Sequence, residues 1–254
     1  MPTAGDIYYF ASRGGSASRP PVVLIHGAGG DYLHWPHNIR RLPGYRVLAP
    51  DLPGHGRSEG LGQQSVRAYA QVVIDWLIET GIYRAVFVGH SMGGAIAQTL
   101  ALEHQENVLG LGLVGTGARL RVNPALLERI SSPETFKSAV DLVVEWSYAR
   151  QTSPRQREQI RKQLASNRPS VLLGDYQACD RFDVMERVKD IRVPTCVICG
   201  EDDRMTPPKY SEYLAEHLPN AQLKLIPEAG HMVMLEQAEA VAGVLEDFLS
   251  TVSY

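Results

Sequence analysis

With 254 residues, 44% of them hydrophobic, the chain can bury one substantial core and suits a single α/β domain with an insertion better than two ordinary domains. A formal charge of -3, a pI near 6.2 and no Lys/Arg cluster interleaved with aromatics argue against a nucleic-acid partner. The polar stretch 1–6 lacks the basic start and apolar segment of a secretory signal, no run is long enough to span a bilayer, and three cysteines do not suggest a disulfide framework; the expectation is a soluble, cytoplasmic protein that engages no membrane.

Along the chain, residues 7–10 predict an edge strand, joined through the Gly/Ser-rich turn 12–18 to a buried strand at 22–25 that ends in His26-Gly27. A helix over 35–41 follows. The next strand, 46–49, runs into Asp51-Leu52-Pro53-Gly54-His55-Gly56-Arg57-Ser58, where Gly54-x-Gly56 reads as a tight turn. The helix expected at 65–80 has an apolar face illustrated by Val72, Val73, Trp76 and Leu77. A strand over 85–88 meets Gly89-His90-Ser91-Met92-Gly93 and a helix over 92–104, and a further strand covers 109–114.

The alternation then fails, because 118–190 reads as several short helices broken by Pro124, Pro133, Pro154 and Pro169. This insertion holds 13 Lys and Arg against 10 Asp and Glu, explained either by solvated helix faces such as 155–162 or by weak attraction for anionic substrates. Strands at 193–199 and 222–226, with helices at 208–217 and 235–250, complete the chain. The pattern predicts a mainly parallel sheet covered on both faces, with 1–117 and 191–254 as the core and 118–190 as a helical cap.

Ser91 stands where a strand turns into a helix, with a glycine two residues away on each side. A serine on such a turn takes strained backbone angles, and the missing side chains let strand and helix approach. Serine is a poor nucleophile at neutral pH unless a base takes its proton, and that base works best when an acid holds it. The ends of later strands supply Gly200-Glu201-Asp202-Asp203-Arg204-Met205-Thr206-Pro207 and Ala229-Gly230-His231, in the order serine, acid, histidine. Residues 115–122, after the strand ending near Val114, hold no carboxylate. Taken singly, Ser91 also reads as a helix N-cap, Asp202 and Asp203 as a solvated turn, and His231 as a surface or helix-start histidine.

Three other patterns do not build sites. Cys196-x-x-Cys199 falls in a strand, where residues three apart point to opposite faces, and Cys179 stands alone; buried structural thiols fit better. Gly110-x-Gly112-x-x-Gly115 lies largely inside a strand instead of in a turn that opens a helix, so no dinucleotide site follows. His34 and His37, near Asp31, have Pro36 between them and no further ligand cluster, which argues against a metal; nothing requires a cofactor.

In their order, and each at the end of a predicted strand, His26-Gly27, the 51–58 segment, Gly-His-Ser-Met-Gly-Gly and the acid and histidine segments resemble the α/β-hydrolase superfamily, specifically its small carboxylesterase-like members with a helical cap. The resemblance covers nearly the whole chain and implies an α/β-hydrolase fold, a mostly parallel central sheet flanked by helices. It also implies Ser91 as nucleophile, His231 as general base and then acid, and Asp203 as the orienting acid. Asp203 is preferred to Asp202 because similar enzymes place the acid four residues before the proline, here Pro207. The implied oxyanion hole is the backbone N–H of Ala28 and of Met92, with Gly27, Gly29 and Gly30 permitting close approach; His90 would support the turn and His26 would pack beneath the oxyanion loop. The implied reaction is hydrolysis of a small carboxylic ester through an acyl-enzyme.

The same triad also serves lactonases, thioesterases, C–C bond hydrolases and cofactor-free perhydrolases. Relatives that cleave C–C bonds often carry an aromatic residue after the histidine, where this chain has Met232, and similar dehalogenases carry aspartate where it has Ser91. The alternative of another class is a ligand-binding receptor that keeps a hydrolase pocket. Leu126, Ile130, Phe136, Trp146, Tyr148 and Tyr176, with Met232 and Met234, are candidates for an acyl or alcohol pocket, each with ordinary packing as its plainer role.

Overall fold

The computed structural model describes residues 2–254; Met1, the first residue of the expected core segment, lies outside them. The strands β1 (Thr3–Ala4), β2 (Ile7–Ala11), β3 (Val22–Ile25), β4 (Val47–Pro50), β5 (Ala85–His90), β6 (Val108–Val114), β7 (Thr195–Gly200) and β8 (Ala221–Ile226) form one sheet in the order β1-β2-β4-β3-β5-β6-β7-β8. β1 and β2 run antiparallel at one edge and every pairing from β4 to β8 is parallel. This is the α/β-hydrolase fold. The segments that follow β3, β5, β6, β7 and β8 therefore all leave the sheet along its carboxyl edge, where open parallel sheets bind ligands.

Alternation along each strand assigns its residues to two cores. Val22, Leu24, Val86 and Val88 enter one and Val23, Ile25, Ala85 and Phe87 the other, so the central strands are apolar on both faces and read as continuous runs. Helices α1 (Val66–Glu79), α2 (Met92–Glu103) and α7 (Pro208–His217) cover the second core through Trp76, Leu77, Ile96 and Leu214. The opposite face is closed by α9 (Ala238–Ser250) through Val241, Leu245 and Phe248. Four helices, α3 (Pro124–Ser131), α4 (Phe136–Ser147), α5 (Pro154–Ala165) and α6 (Pro169–Asp180), are inserted between β6 and β7, and the one-turn α8 (Val233–Glu236) precedes α9. No helix among the described residues is long and apolar enough to cross a membrane.

Two sequence expectations need correction. No α-helix forms over 35–41; short 3-10 turns at Tyr32–His34 and Ile39–Arg41 flank Trp35, which is extended at φ -94° and ψ 117°. The cause is Pro36, whose ring excludes the preceding residue from helical angles. The helix expected at 235–250 is interrupted at Gln237, with φ -128°, and the main helix begins at Ala238. The break lets the Glu236 carboxylate turn back to accept the N–H groups of Gly230 and Ala149. Within the insertion, Pro124, Pro154 and Pro169 start helices, the first two behind the side-chain caps Asn123 and Ser153, as suits a residue with no N–H to leave unpaired. In β6, Gly110 and Gly112 lie in the strand, and a methyl on Gly112 would come 2.9 Å from Val88 Cγ1.

The crossing of β5 and α2 over β3 is the tightest approach near the site. A Cβ on Gly93 would sit 2.2 Å from the Ile25 carbonyl oxygen, whereas one on Gly243 in α9 would meet nothing within 4 Å. Gly93→Ala should therefore lose roughly 3 kcal/mol or more, or fail to fold, while Gly243→Ala should gain about 0.5–1 kcal/mol from helix propensity in urea melts. Equal effects at the two positions would show that the crossing is not under steric constraint.

Candidate active site

Ser91 joins β5 to α2 at φ 53° and ψ -115°, a backbone conformation that costs a non-glycine residue on the order of 1–3 kcal/mol. Hydrogen bonds hold it there. Its N–H donates to the Val114 carbonyl at 2.9 Å, and its own carbonyl accepts from Gly94 and Ala95 and from the Thr116 hydroxyl. The Ser91 side chain makes no capping bond to α2, and it stays half-buried on the wall of a cavity.

His231 and Asp203, 28 residues apart in sequence, meet at 2.9 Å between Nδ1 and Oδ2. Oδ1 of Asp203 accepts the Met205 and Thr206 N–H groups and Oδ2 accepts the Thr206 hydroxyl, so a buried carboxylate faces four donors. Such a set fits an ionised acid. With Nδ1–H directed at Asp203, the imidazole keeps Nε2 as its acceptor. The His90 Nε2–H group donates to the His231 carbonyl at 3.0 Å, and burial followed by the nearby His231 holds the His90 pKa well below the usual histidine range. Asp202 stays exposed.

Ser91 and His231 line the same cavity, together with Ala28, His34, Tyr176 and Met232. No hydrogen bond joins the Ser91 hydroxyl to the His231 ring among the described residues, a separation common where no substrate is bound. The N–H groups of Met92, first in α2, and of Ala28 have no acceptor among the described residues. Of the other residues expected at the pocket, Leu126 and Trp146 line an adjoining chamber, and Leu126, Ile130, Tyr148 and Met234 are buried core residues. His26 lies under the 26–30 loop, donating through Nδ1 to the Gly27 carbonyl at 2.8 Å and accepting the Leu52 N–H at 3.0 Å; burial and the neighbouring His55 keep it neutral. His34 is bound through Nε2 to Gln163 instead of facing His37, which is exposed.

The most consequential residue absent from the sequence expectations is Asp175. Carried by α6 and wholly buried, it accepts the Gly29 N–H at 2.8 Å, His55 Nε2 at 2.7 Å and the Tyr69 hydroxyl at 2.5 Å. The Gly29 carbonyl accepts from Gln163 and Asn167, so inserted helices and the connection after α5 grip both peptide groups of the residue that follows Ala28. Gly29 has φ +63°, and a Cβ there would lie 2.6 Å from Leu172 Cδ1. A second tie joins the histidine loop to the end of α4, where Met232 N–H meets the Ser147 carbonyl at 3.0 Å and Glu236 bridges Gly230, Ala149 and Thr152. A signal for Asp175 did exist: it falls at helical spacing among Val171, Leu172, Ala178 and Cys179, an acid inside an apolar stripe.

Comparison with known proteins places this geometry in context. Residues 22–244 match the alpha/beta hydrolase family. The 2-hydroxy-6-oxo-6-phenylhexa-2,4-dienoate hydrolase of Burkholderia cepacia is 30% identical over 250 residues, covering 90% of this chain and 87% of that protein. Lipase 3 of a Moraxella species is 28% identical and covers 96% of this chain and 82% of its own. Among solved structures, a thermophilic esterase is 37% identical with a TM-score of 0.82, covering 96% of this chain and 98% of its own. An enol-lactonase from Burkholderia xenovorans is 25% identical with a TM-score of 0.88, covering 96% of each chain.

Burial alone would lower the His55 pKa, but the charge and hydrogen bond of Asp175 outweigh it and raise it. The folded protein then holds this proton more tightly than the unfolded chain, so the stabilisation is full below about pH 6.5 and is lost as the pH rises through the raised value. Asp175→Asn should cost about 3 kcal/mol or more by leaving donors unpaired. The melting-temperature gap between wild type and His55→Gln should narrow as the pH rises above about 6.5; a gap that widens would show that the folded ring carries no extra proton.

Proposed function

Because the chain belongs to the alpha/beta hydrolase family and is thereby a hydrolase, we propose that it cleaves small carboxylic esters through an acyl-enzyme, with Ser91, His231 and Asp203 as its triad and the helices of 118–190 as its cap. The observation that carries this reading is the buried Asp203–His231 pair at 2.9 Å, whose histidine shares one cavity wall with a serine held in a strained turn. Nε2 of His231 takes the Ser91 proton as Oγ attacks the carbonyl carbon. Charge then develops on the carbonyl oxygen, between the unoccupied N–H groups of Ala28 and Met92, each worth on the order of 3 kcal/mol in comparable sites. His231 returns the proton to the departing alkoxide, and water repeats the sequence to release the acid.

Asp203 keeps the imidazole in the tautomer that presents Nε2 and stabilises the imidazolium. The ester reading over C–C cleavage is supported by Met232, which places no aromatic ring directly after the histidine. Lactones, being cyclic esters, fit the same chemistry. A binding protein that had lost catalysis would have no need of a fully bonded acid-base pair beside the serine.

A fluorophosphonate should label the wild type and not Ser91→Ala, and the variant should lose a factor on the order of 10⁴ or more in turnover of p-nitrophenyl butyrate. Activity should fall on acidification, because only a neutral imidazole at His231 can accept the Ser91 proton. A wild type that neither labels nor turns over short esters or lactones overturns the proposal.

A further inference from the structure

We propose that the physiological ester carries a carboxylate on its acyl chain, and that Arg121 and Arg204 bind it in the chamber beside the Ser91 cavity. This rests on the ester-hydrolase reading of Ser91 and names the class of substrate. The Ser91 cavity and a second, partly open space share Arg121, Val122, Tyr176 and Met205 as wall residues, so an acyl chain seated at the serine can extend past Arg121. The far end of that space is lined by Leu126, Trp146 and Arg204. Its walls are thus apolar apart from two guanidinium groups, Asn123 and the Tyr176 phenol.

Among the described lining residues of that space, the two arginines are the charged ones, and no acid faces them there. Arg119, Arg161, Lys162 and Arg187 each reach an acidic side chain, and Arg157 and Arg168 are engaged by backbone carbonyls. Arg121 and Arg204 have no carboxylate within ion-pair distance among the described residues. Arg204 donates one N–H to the Glu145 carbonyl, which fixes the side chain while leaving its charge uncompensated. Arg121 makes no hydrogen bond among the described residues, and neither cavity has an Asp or Glu in its wall. Two uncompensated cations above an apolar floor favour a ligand with an apolar stem and an anionic end. Guanidinium forks match a carboxylate with paired N–H donors. Both side chains are exposed, so screening keeps the gain moderate.

The test compares mono-p-nitrophenyl glutarate with its methyl ester, which has the same chain without the charge. The wild type should prefer the anion about tenfold or more in kcat/KM, chiefly through KM, and the preference should shrink with added salt. Arg121→Ala and Arg204→Ala should each reduce it and the double variant abolish it, read as the ratio of kcat/KM for the two esters. Arginine-to-lysine variants should recover part of it. Equal handling of the two esters by the wild type, or a preference that survives the double variant, overturns the proposal. If neither ester is hydrolysed, the ester-hydrolase reading fails instead, and binding decides the arginines separately. In that case Ser91→Ala should bind monomethyl glutarate more tightly than dimethyl glutarate in calorimetry, and lose the difference when both arginines are removed; no difference before their removal overturns the proposal.

Discussion

The site depends on one steric constraint, the approach of the first turn of α2 to the end of β3. At Gly93 a single methyl group would lie 2.2 Å from the Ile25 carbonyl, and one on Gly89 would lie 2.1 Å from the Gly93 carbonyl. Contact this close forces the intervening residue into a positive φ, so the Ser91 side chain has nowhere to go except above the sheet edge. The same approach sets the Met92 N–H beside the loop that follows β3. The Ser91 side chain and the Met92 N–H are therefore placed by backbone packing, which is stiffer than any side-chain rotamer.

The remaining groups are placed by buried charge. Asp203 organises four donors around the imidazole, and Asp175 organises three around the loop containing Ala28. Each carboxylate has lost its water and recovered the cost through charge-assisted hydrogen bonds, an arrangement that stays favourable only while every partner is in position. That condition couples loops far apart in the chain. Gly29, His55, Tyr69 and Asp175 come from four separate segments, and the anion is what makes them one unit.

The sheet was legible because its central strands are buried on both faces and so write uninterrupted apolar runs into the sequence. The turn at Ser91 was legible because glycine spacing reports a backbone requirement directly. Motif order also singled out Asp203 and His231, which the structure brings within hydrogen-bonding distance. The failures have local causes of another kind. Apolar spacing over 35–41 outweighed the effect of Pro36 on Trp35, and a continuous helix through 235–250 hid the reversal of Glu236. Asp175 was counted among the charges of a solvated insertion, since a buried acid and an exposed one look alike until their partners are known, and its partners lie 106 to 146 residues away.

The grip of the inserted helices on Gly29 bears on how this protein can diversify. A roof that merely covered a pocket could be exchanged for another, and selectivity would change without touching the chemistry. Here the inserted helices supply the anion beneath the 26–30 loop and the ties behind His231, so replacing them wholesale would disturb the Ser91–His231 cavity as well. New preferences are more accessible by single substitutions on walls that carry no such ties, among them Trp146 and Arg121. The sheet and its inserted helices are then parts of one heritable unit.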